Sequence, residues 1–369
     1  MISPQDGSPH NGRHLMRRKE DFRGPDVFIG VGWLLALSAG VAMAPACSER
    51  LAVAGEDVRF HGQILQIVVG RSAGGTHDLY ARAMAPHLGR HVPGNPTVVV
   101  ENMPGAGGLL ALKYLAHQAR PDGLTIGLVG LPGTLAQVTD DREAQEDASH
   151  LHALGSPSDD VPVCVFSRAS KIDLDTWRSG HVTPRLGVTS YGTSIHVDTA
   201  LMMAALHLSG RMIVGYKGTA EIRQAIGSRE LDGACVGLDA YLSTFQPPDD
   251  YLVAVQLGGY ASDLAGVPAL STLVADDRGK ELVDVARLMG RISRYYAVPA
   301  DTPAEAVALL RHAFDDAIRD PEFLRMATLA HLPINPRSGI GIEQSVTELL
   351  HMSPAVRDRV AGIVKAPTS

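Results

Sequence analysis

The chain has 369 residues, 45% hydrophobic and 20% charged, which describes a globular protein long enough for two domains and excludes a disordered or fibrous one. A net charge of −7, with no basic run beyond the first residues and only 5% aromatics, argues against nucleic acid as a partner. The three cysteines (Cys47, Cys164 and Cys235) form no CxxC pair, so no zinc-ribbon site is expected, and nothing in the residues calls for another metal or a cofactor.

At the N-terminus Arg13, Arg17, Arg18, Lys19 and Arg23 precede an uncharged stretch over 27–44. Small residues follow in the A-x-A pattern at Ala42-Met-Ala44 and Ala44-Pro-Ala46. The segment 1–46 reads as a cleaved export signal, with a retained membrane anchor as the alternative because the stretch is nearly long enough to span. Cys47 is a candidate lipid-attachment site, although Ala44 stands where a large aliphatic residue is expected, and Met16 is an alternative start. In an oxidising compartment Cys164 and Cys235 could pair. Both sit in apolar strand-like stretches, and two buried free thiols are the preferred reading.

From residue 60 short apolar runs alternate with helical periods, the pattern of α/β units around mostly parallel sheets. Strands are expected at 64–69, 97–100, 125–129, 161–166, 185–188, 212–214, 233–236, 252–256 and 291–298. The first runs into Gly70-Arg-Ser-Ala-Gly-Gly-Thr-His-Asp78 and a helix from Leu79; the second runs into Glu101-Asn-Met-Pro-Gly-Ala-Gly-Gly108 and a helix from Leu109. A strand that ends in glycines and re-enters as a helix exposes backbone N–H groups at the positive end of the helix dipole, and so binds anions. The polar, acidic chain between Gly130 and Gly155 reads as a solvated loop or helix face. Thr302-Pro-Ala-Glu305 reads as a capping box with proline at the first helical position. Val307, Leu310, Phe314 and Ile318 form the apolar face of that helix, and Asp320-Pro321 ends it.

The second glycine loop also invites a dinucleotide fingerprint. Position 110 is Leu where a third glycine is needed, and Asp122 sits in a Pro-Asp-Gly turn instead of at a strand end. His196 and Asp198 beside Ser194 suggest a catalytic triad. Neighbours on one helix point apart, however, and nothing supplies an oxyanion site, so no catalytic residue is assigned.

The segments Gly74-Gly75-Thr76-x-Asp78-x-x-Ala81-Arg82 and Val100-Glu-Asn-Met-Pro-Gly-Ala-Gly-Gly108 resemble the substrate-binding receptors of tripartite tricarboxylate transporters, the TctC or Bug-type periplasmic solute-binding proteins. Pro121-Asp-Gly-x-Thr125, Gly192-Thr-Ser-x-His196, Tyr216-Lys-Gly218, Gly266-Val-Pro268, Pro299-Ala-x-Thr-Pro303-Ala-Glu305 and Asp320-Pro-Glu-Phe323 continue the match in order over roughly 60–340. The resemblance implies an α/β, two-lobed periplasmic binding protein type II (Venus-flytrap) fold, each lobe a mixed sheet flanked by helices. Lobe 1 would be 56–159 plus 290–369, lobe 2 would be 160–289, and 161–166 and 291–298 would be the crossing strands. It implies a periplasmic receptor that captures a small organic carboxylate and delivers it, by lobe closure, to a large and a small integral membrane subunit. A sensor that presents its closed form to a signalling partner, and an enzyme on the same scaffold, are the alternatives.

In this reading the junctions near Gly75, Gly107, Ser194 and Gly218 converge on one cleft. The candidate ligand-binding residues are Arg71, Ser72, Gly74, Gly75, Thr76, Asp78, Asn102, Gly105, Ala106, Gly107, Thr193, Ser194, His196, Tyr216, Gly218 and Asp239. Thr76 and Ser194 could donate hydroxyls to a carboxylate or cap their helices. Asp78 suits the first turn of a helix or a ligand amino group. Asn102 could hold its loop or touch ligand. Arg71 is a departure from the family pattern: a guanidinium here could fork onto a second ligand carboxylate, favouring di- or tricarboxylates.

Overall fold

The computed structural model describes residues 60–130, 151–257 and 264–365. The export segment, Cys47 and the acidic run at 140–147 lie outside the described residues. Two sheets organise the rest. The first has the order β11-β4-β10-β3-β1-β2, with β1 Ile64–Val69, β2 Thr97–Asn102, β3 Thr125–Val129, β4 His152–Ser156, β10 Tyr295–Val298 and β11 Arg337–Ser338. The second has the order β7-β6-β8-β5-β9, with β5 Pro162–Ser167, β6 Arg185–Val188, β7 Arg211–Val214, β8 Gly233–Gly237 and β9 Tyr251–Gln256. Both are mixed. β1 pairs parallel with β2 and β3, and β6 pairs parallel with β7 and β8, whereas β10 and β5 run antiparallel to their neighbours.

Burial explains why these segments are strands. β3 is buried at every residue and β1 at four of six, so Val, Ile and Leu pack on both faces, as parallel strands covered by helices require. Leu65, Ile67 and Val69 meet Met84 and Leu88 of the helix Thr76–His91 and Leu310 and Phe314 of the helix Ala304–Ala317. Leu112 and Leu115 of the helix Leu109–His117 share a core with Ile342 and Val346 of the helix Gly339–Leu350. The second sheet packs Val163, Val165, Ala234 and Val236 against Ile222 and Ile226 of the helix Thr219–Gly227.

Four expectations are corrected. The strand expected at 291–298 is shorter: the helix Asp277–Arg291 runs to its first residue, and only Tyr295–Val298 pairs. The stretch expected to be a solvated loop up to Gly155 contains β4. That strand is buried from Ala153 onward although its sequence, His-Ala-Leu-Gly-Ser, has little strand character. The capping box at Thr302 does not form: the helix begins at Ala304 with Pro303 as its cap, and Thr302 Oγ1 has no hydrogen-bond partner. Asp320 instead caps the next helix, Pro321–Leu329, accepting from Glu322 N. Finally, Cys164 and Cys235 are not free thiols. The antiparallel register of β5 and β8 sets them opposite one another, and they form a disulfide. Reading each strand alone cannot reveal that register.

The chain passes from the first sheet to the second after β4 and returns before β10. The two passages lie side by side, Asp160 N–H donating to Gly290 O at 3.0 Å. This is the floor between the sheets.

Candidate functional site

A cleft of about 660 Å³ opens above that floor, within the range of small-molecule sites. One wall carries the two glycine loops: Arg71, Ser72, Gly74, Gly75 and Thr76 from the first, Gly105, Ala106 and Gly107 from the second. The other carries Thr193 and Ser194, then Tyr216 and Gly218, and Arg294 and Asp160 lie on the floor with Asp239. Thirteen of the sixteen candidate residues therefore line one cleft. Asp78, Asn102 and His196 are placed behind the walls.

Helices begin at the cleft and start open. The N-caps Gly75, Gly108, Thr193, Gly218 and Gly237 make no side-chain cap hydrogen bond. Thr76 and Ser194 follow their caps, so neither hydroxyl is the cap of its helix. Three of these starts share a device: the N–H just before the cap donates to a side chain four residues on. Gly74 N–H reaches Asp78 Oδ2 at 2.8 Å, Gly192 N–H reaches His196 Nδ1 at 3.3 Å, and Lys217 N–H reaches Glu221 Oε2 at 2.6 Å. The side chain fixes the loop from behind, as in a capping box. The first-turn residues Thr76, His77, Ser194, Ile195, Thr219 and Ala220 line the cleft, which therefore meets the N-terminal, positive end of each dipole.

The first wall is cross-linked further. Asp78, only 2% exposed, also accepts from Arg82 Nε at 3.0 Å and from Asn102 Nδ2 at 2.9 Å. Asn102 Nδ2 reaches Arg71 O at 3.0 Å as well, and its Oδ1 accepts from Arg82 Nη2 at 2.9 Å. Burial by itself would raise the Asp78 carboxyl, but the hydrogen bonds from Arg82, Gly74 N–H and Asn102 hold it below the usual carboxylate range. Asp78 and Asn102 thus hold the loops that line the cleft.

Arg71 joins the two loops: its Nη1 donates to Gly107 O and, at 3.3 Å, to Gly70 O. A Cβ at Gly108 would stand 2.3 Å from Nη1, so glycine there leaves room for the guanidinium, at a φ of +103° that other residues rarely adopt. Burial, then the nearby Arg294, lowers its pKa to about 10, still far above neutrality. No carboxylate among the described residues pairs with it.

The floor holds two charges that sequence reading missed, Arg294 and Asp160, beside the candidate Asp239. Arg294, 2% exposed, forms an ion pair with Asp239, and its guanidinium carbon lies 4.3 Å from the centroid of the Tyr80 ring. Asp239 Oδ1 also accepts from Ala240 N at 2.6 Å. Asp160 Oδ1 is shielded and accepts no hydrogen bond. Burial first, and Asp239 second, push the Asp160 carboxyl up to about 7. The one sequence signal for this cluster is a charge flanking an otherwise apolar strand, Asp160 ahead of β5 and Arg294 ahead of β10.

The walls approach each other where a Cβ on Gly107 would lie 3.2 Å from Thr193 Cγ2. His196 is buried, and burial lowers its pKa. Its Nδ1 bond to Gly192 makes it a loop support. Tyr216 OH donates to Glu230 at 2.6 Å, leaving its ring on the lining. Away from the cleft, His87, Asp320 and Glu322 cluster at metal-ligand spacing, but Arg90 already donates to both carboxylates at 2.9 and 2.8 Å.

No family model matches the chain. A UPF0065 protein in the gbd 5′ region of Cupriavidus necator is 35% identical over 96 residues, which is 26% of this chain and 28% of that protein's length. Among solved structures, MatC from Rhodopseudomonas palustris with bound malate is similar, with a TM-score of 0.64 at 19% identity, covering 81% of this chain and 99% of that one. The periplasmic binding protein BugD gives 0.62 at 18% identity, covering 82% and 98%. A second R. palustris protein, with adipate, gives 0.62 at 18%, covering 82% and 97%. The two mixed sheets, their flanking helices and the cleft between them are the two-lobed α/β fold of the TctC and Bug-type periplasmic binding proteins, which is the fold this chain has.

Proposed function

We propose that the chain is an exported solute-binding receptor of the tripartite tricarboxylate transporter type, which captures a small organic di- or tricarboxylate. One observation carries this reading: Arg71 lines the cleft with no carboxylate partner among the described residues, beside helix N-termini that have no side-chain caps. One ligand carboxylate would take the first-turn N–H groups, where local donors outweigh an acidic chain. A second would sit on the part of the Arg71 guanidinium that Gly107 and Gly70 leave free. The fold's likeness to proteins holding malate and adipate supports the same ligand class. Ligand bridging both walls would favour a closed state, and the closed receptor would deliver its cargo to a large and a small membrane subunit in the periplasm.

The test is calorimetric titration of wild type and Arg71→Ala with di- and monocarboxylates of equal chain length. The variant is expected to lose dicarboxylate affinity about 100-fold and monocarboxylate affinity about fivefold or less. An equal loss for both classes would overturn the assignment of the second carboxylate to Arg71.

A further inference from the structure

The floor of the cleft has a polar group whose partner is missing. Three carboxylates line the cleft among the described residues: Asp160, Asp239 and Glu221. Asp239 is met by Arg294 and by Ala240 N–H, and Glu221 by Lys217 N–H. Asp160 Oδ1 alone of these is shielded from solvent with nothing donating to it. A buried acceptor left in that state is destabilising, so its persistence at a ligand cleft calls for an explanation.

Its position is built by glycines on two sides. A Cβ at Gly237 would stand 2.4 Å from Asp160 Oδ1, and one at Gly290 would stand 2.5 Å from Asp160 O. With the Asp160 N–H bonded to Gly290 O, the carboxyl is held where the two passages between the sheets meet, below the donor-rich first wall.

We propose that Asp160 is a specificity-determining residue that accepts a hydrogen bond from a hydroxyl of the ligand, so that the site selects hydroxylated dicarboxylates over their unsubstituted parents. This rests on the carboxylate-receptor reading. Three groups could in principle face Asp160. A ligand carboxylate would meet the like charges of Asp160 and Asp239. A ligand ammonium would meet Arg294 and Arg71, while the Asp239 charge is already paired with Arg294. A hydroxyl carries no charge, donates to the Asp160 oxygen that lacks a donor, and can also accept a hydrogen bond from the protonated carboxyl. It therefore fits the carboxyl in either protonation state, which matters for a group pushed up to about 7.

The experiment is a calorimetric series on the unaltered protein and on Asp160→Ala. The probes are succinate with malate, glutarate with 2-hydroxyglutarate, and adipate with 2-hydroxyadipate, plus the amino analogue of the best-binding pair. In the unaltered protein the hydroxylated member of the best pair is expected to bind about tenfold more tightly than the parent, and more tightly than the amino analogue. In Asp160→Ala the two members should bind within threefold of each other. A preference of threefold or less in the unaltered protein, a preference that survives in Asp160→Ala, or tighter binding of the amino analogue would overturn the proposal while leaving the receptor reading standing. Binding by none of the acids would overturn the receptor reading, and this inference with it. Because one arm of the series is read on the unaltered protein, the proposal can still be overturned if the variant does not fold.

Discussion

The two walls of the cleft start their helices with the same device and reinforce it differently. On the first wall the supporting side chain, Asp78, is tied into a network: Gly74 N–H, Arg82 and Asn102 all converge on it, and Asn102 continues to Arg71. On the second wall the supports stand singly, His196 beneath Gly192 and Glu221 beneath Lys217. One wall is thus tied into a single network, and the other is a pair of loops each held by one support. Removing Asp78 breaks this contrast most directly. Asp78→Ala is expected to cost about 2 kcal/mol, because it removes one buried acceptor on which donors from two loops and a helix converge. Urea denaturation followed by circular dichroism measures that loss, and a cost below about 1 kcal/mol would show that the first wall does not depend on the network.

Much of the first wall is legible in the sequence because its parts are local. Gly74, Gly75 and Asp78 lie within five residues, and strand, glycines and helix follow one another without interruption. The floor is different. Asp160, Asp239 and Arg294 are brought together from the entry of β5, the helix that follows β8 and the entry of β10, across as many as 134 positions. Asp239 stands among the sequence candidates, but no spacing rule ties it to the other two. Their one local sign is a charge beside an apolar strand, which elsewhere marks an exposed strand end. β4 was hidden for a related reason. His152-Ala-Leu-Gly-Ser156 has neither alternation nor β-branched residues, and it is a strand because β10 and β11 pair with it and Phe314 packs where Gly155 lacks a side chain. The disulfide likewise depends on register, a property of two strands together.

Acid should separate the walls. The Asp78 carboxyl is held below its ordinary value, so its contribution is fully present above the unfolded carboxylate pKa near 3.9 and is lost only as pH falls through the lower folded value. His196 is depressed by burial, so the folded state favours its neutral form. Its contribution is present above the unfolded histidine pKa near 6.5 and declines as pH falls below that value. Protonation also places a hydrogen on Nδ1, the atom that accepts from Gly192 N–H. His77, held well below its usual value by burial and then by Arg294 and Arg71, adds a loss in the same window that both walls share. The informative reading is therefore a difference between two amides. Hydrogen exchange between pH 6.5 and 4.5, corrected for intrinsic rates, should show protection at Gly192 falling about tenfold relative to Gly74. Equal loss at both amides would place the acid sensitivity in His77 and remove the distinction between the walls.

The smallest effect lies at Lys217 and Glu221, where the supporting carboxylate is exposed. There water can replace the lost acceptor, so Glu221→Ala is expected to cost about 0.5 kcal/mol in the same denaturation assay. Its effect on ligand should exceed its effect on stability. Without the tether Gly218 loses its fixed approach to the cleft, and a loop that must be ordered on binding weakens affinity by the cost of ordering it. A twofold to fivefold weaker dicarboxylate with nearly unchanged stability would place the Lys217 loop among the parts that move on capture. A stability loss matching that of Asp78→Ala, with affinity unchanged, would make the second wall as rigid a scaffold as the first.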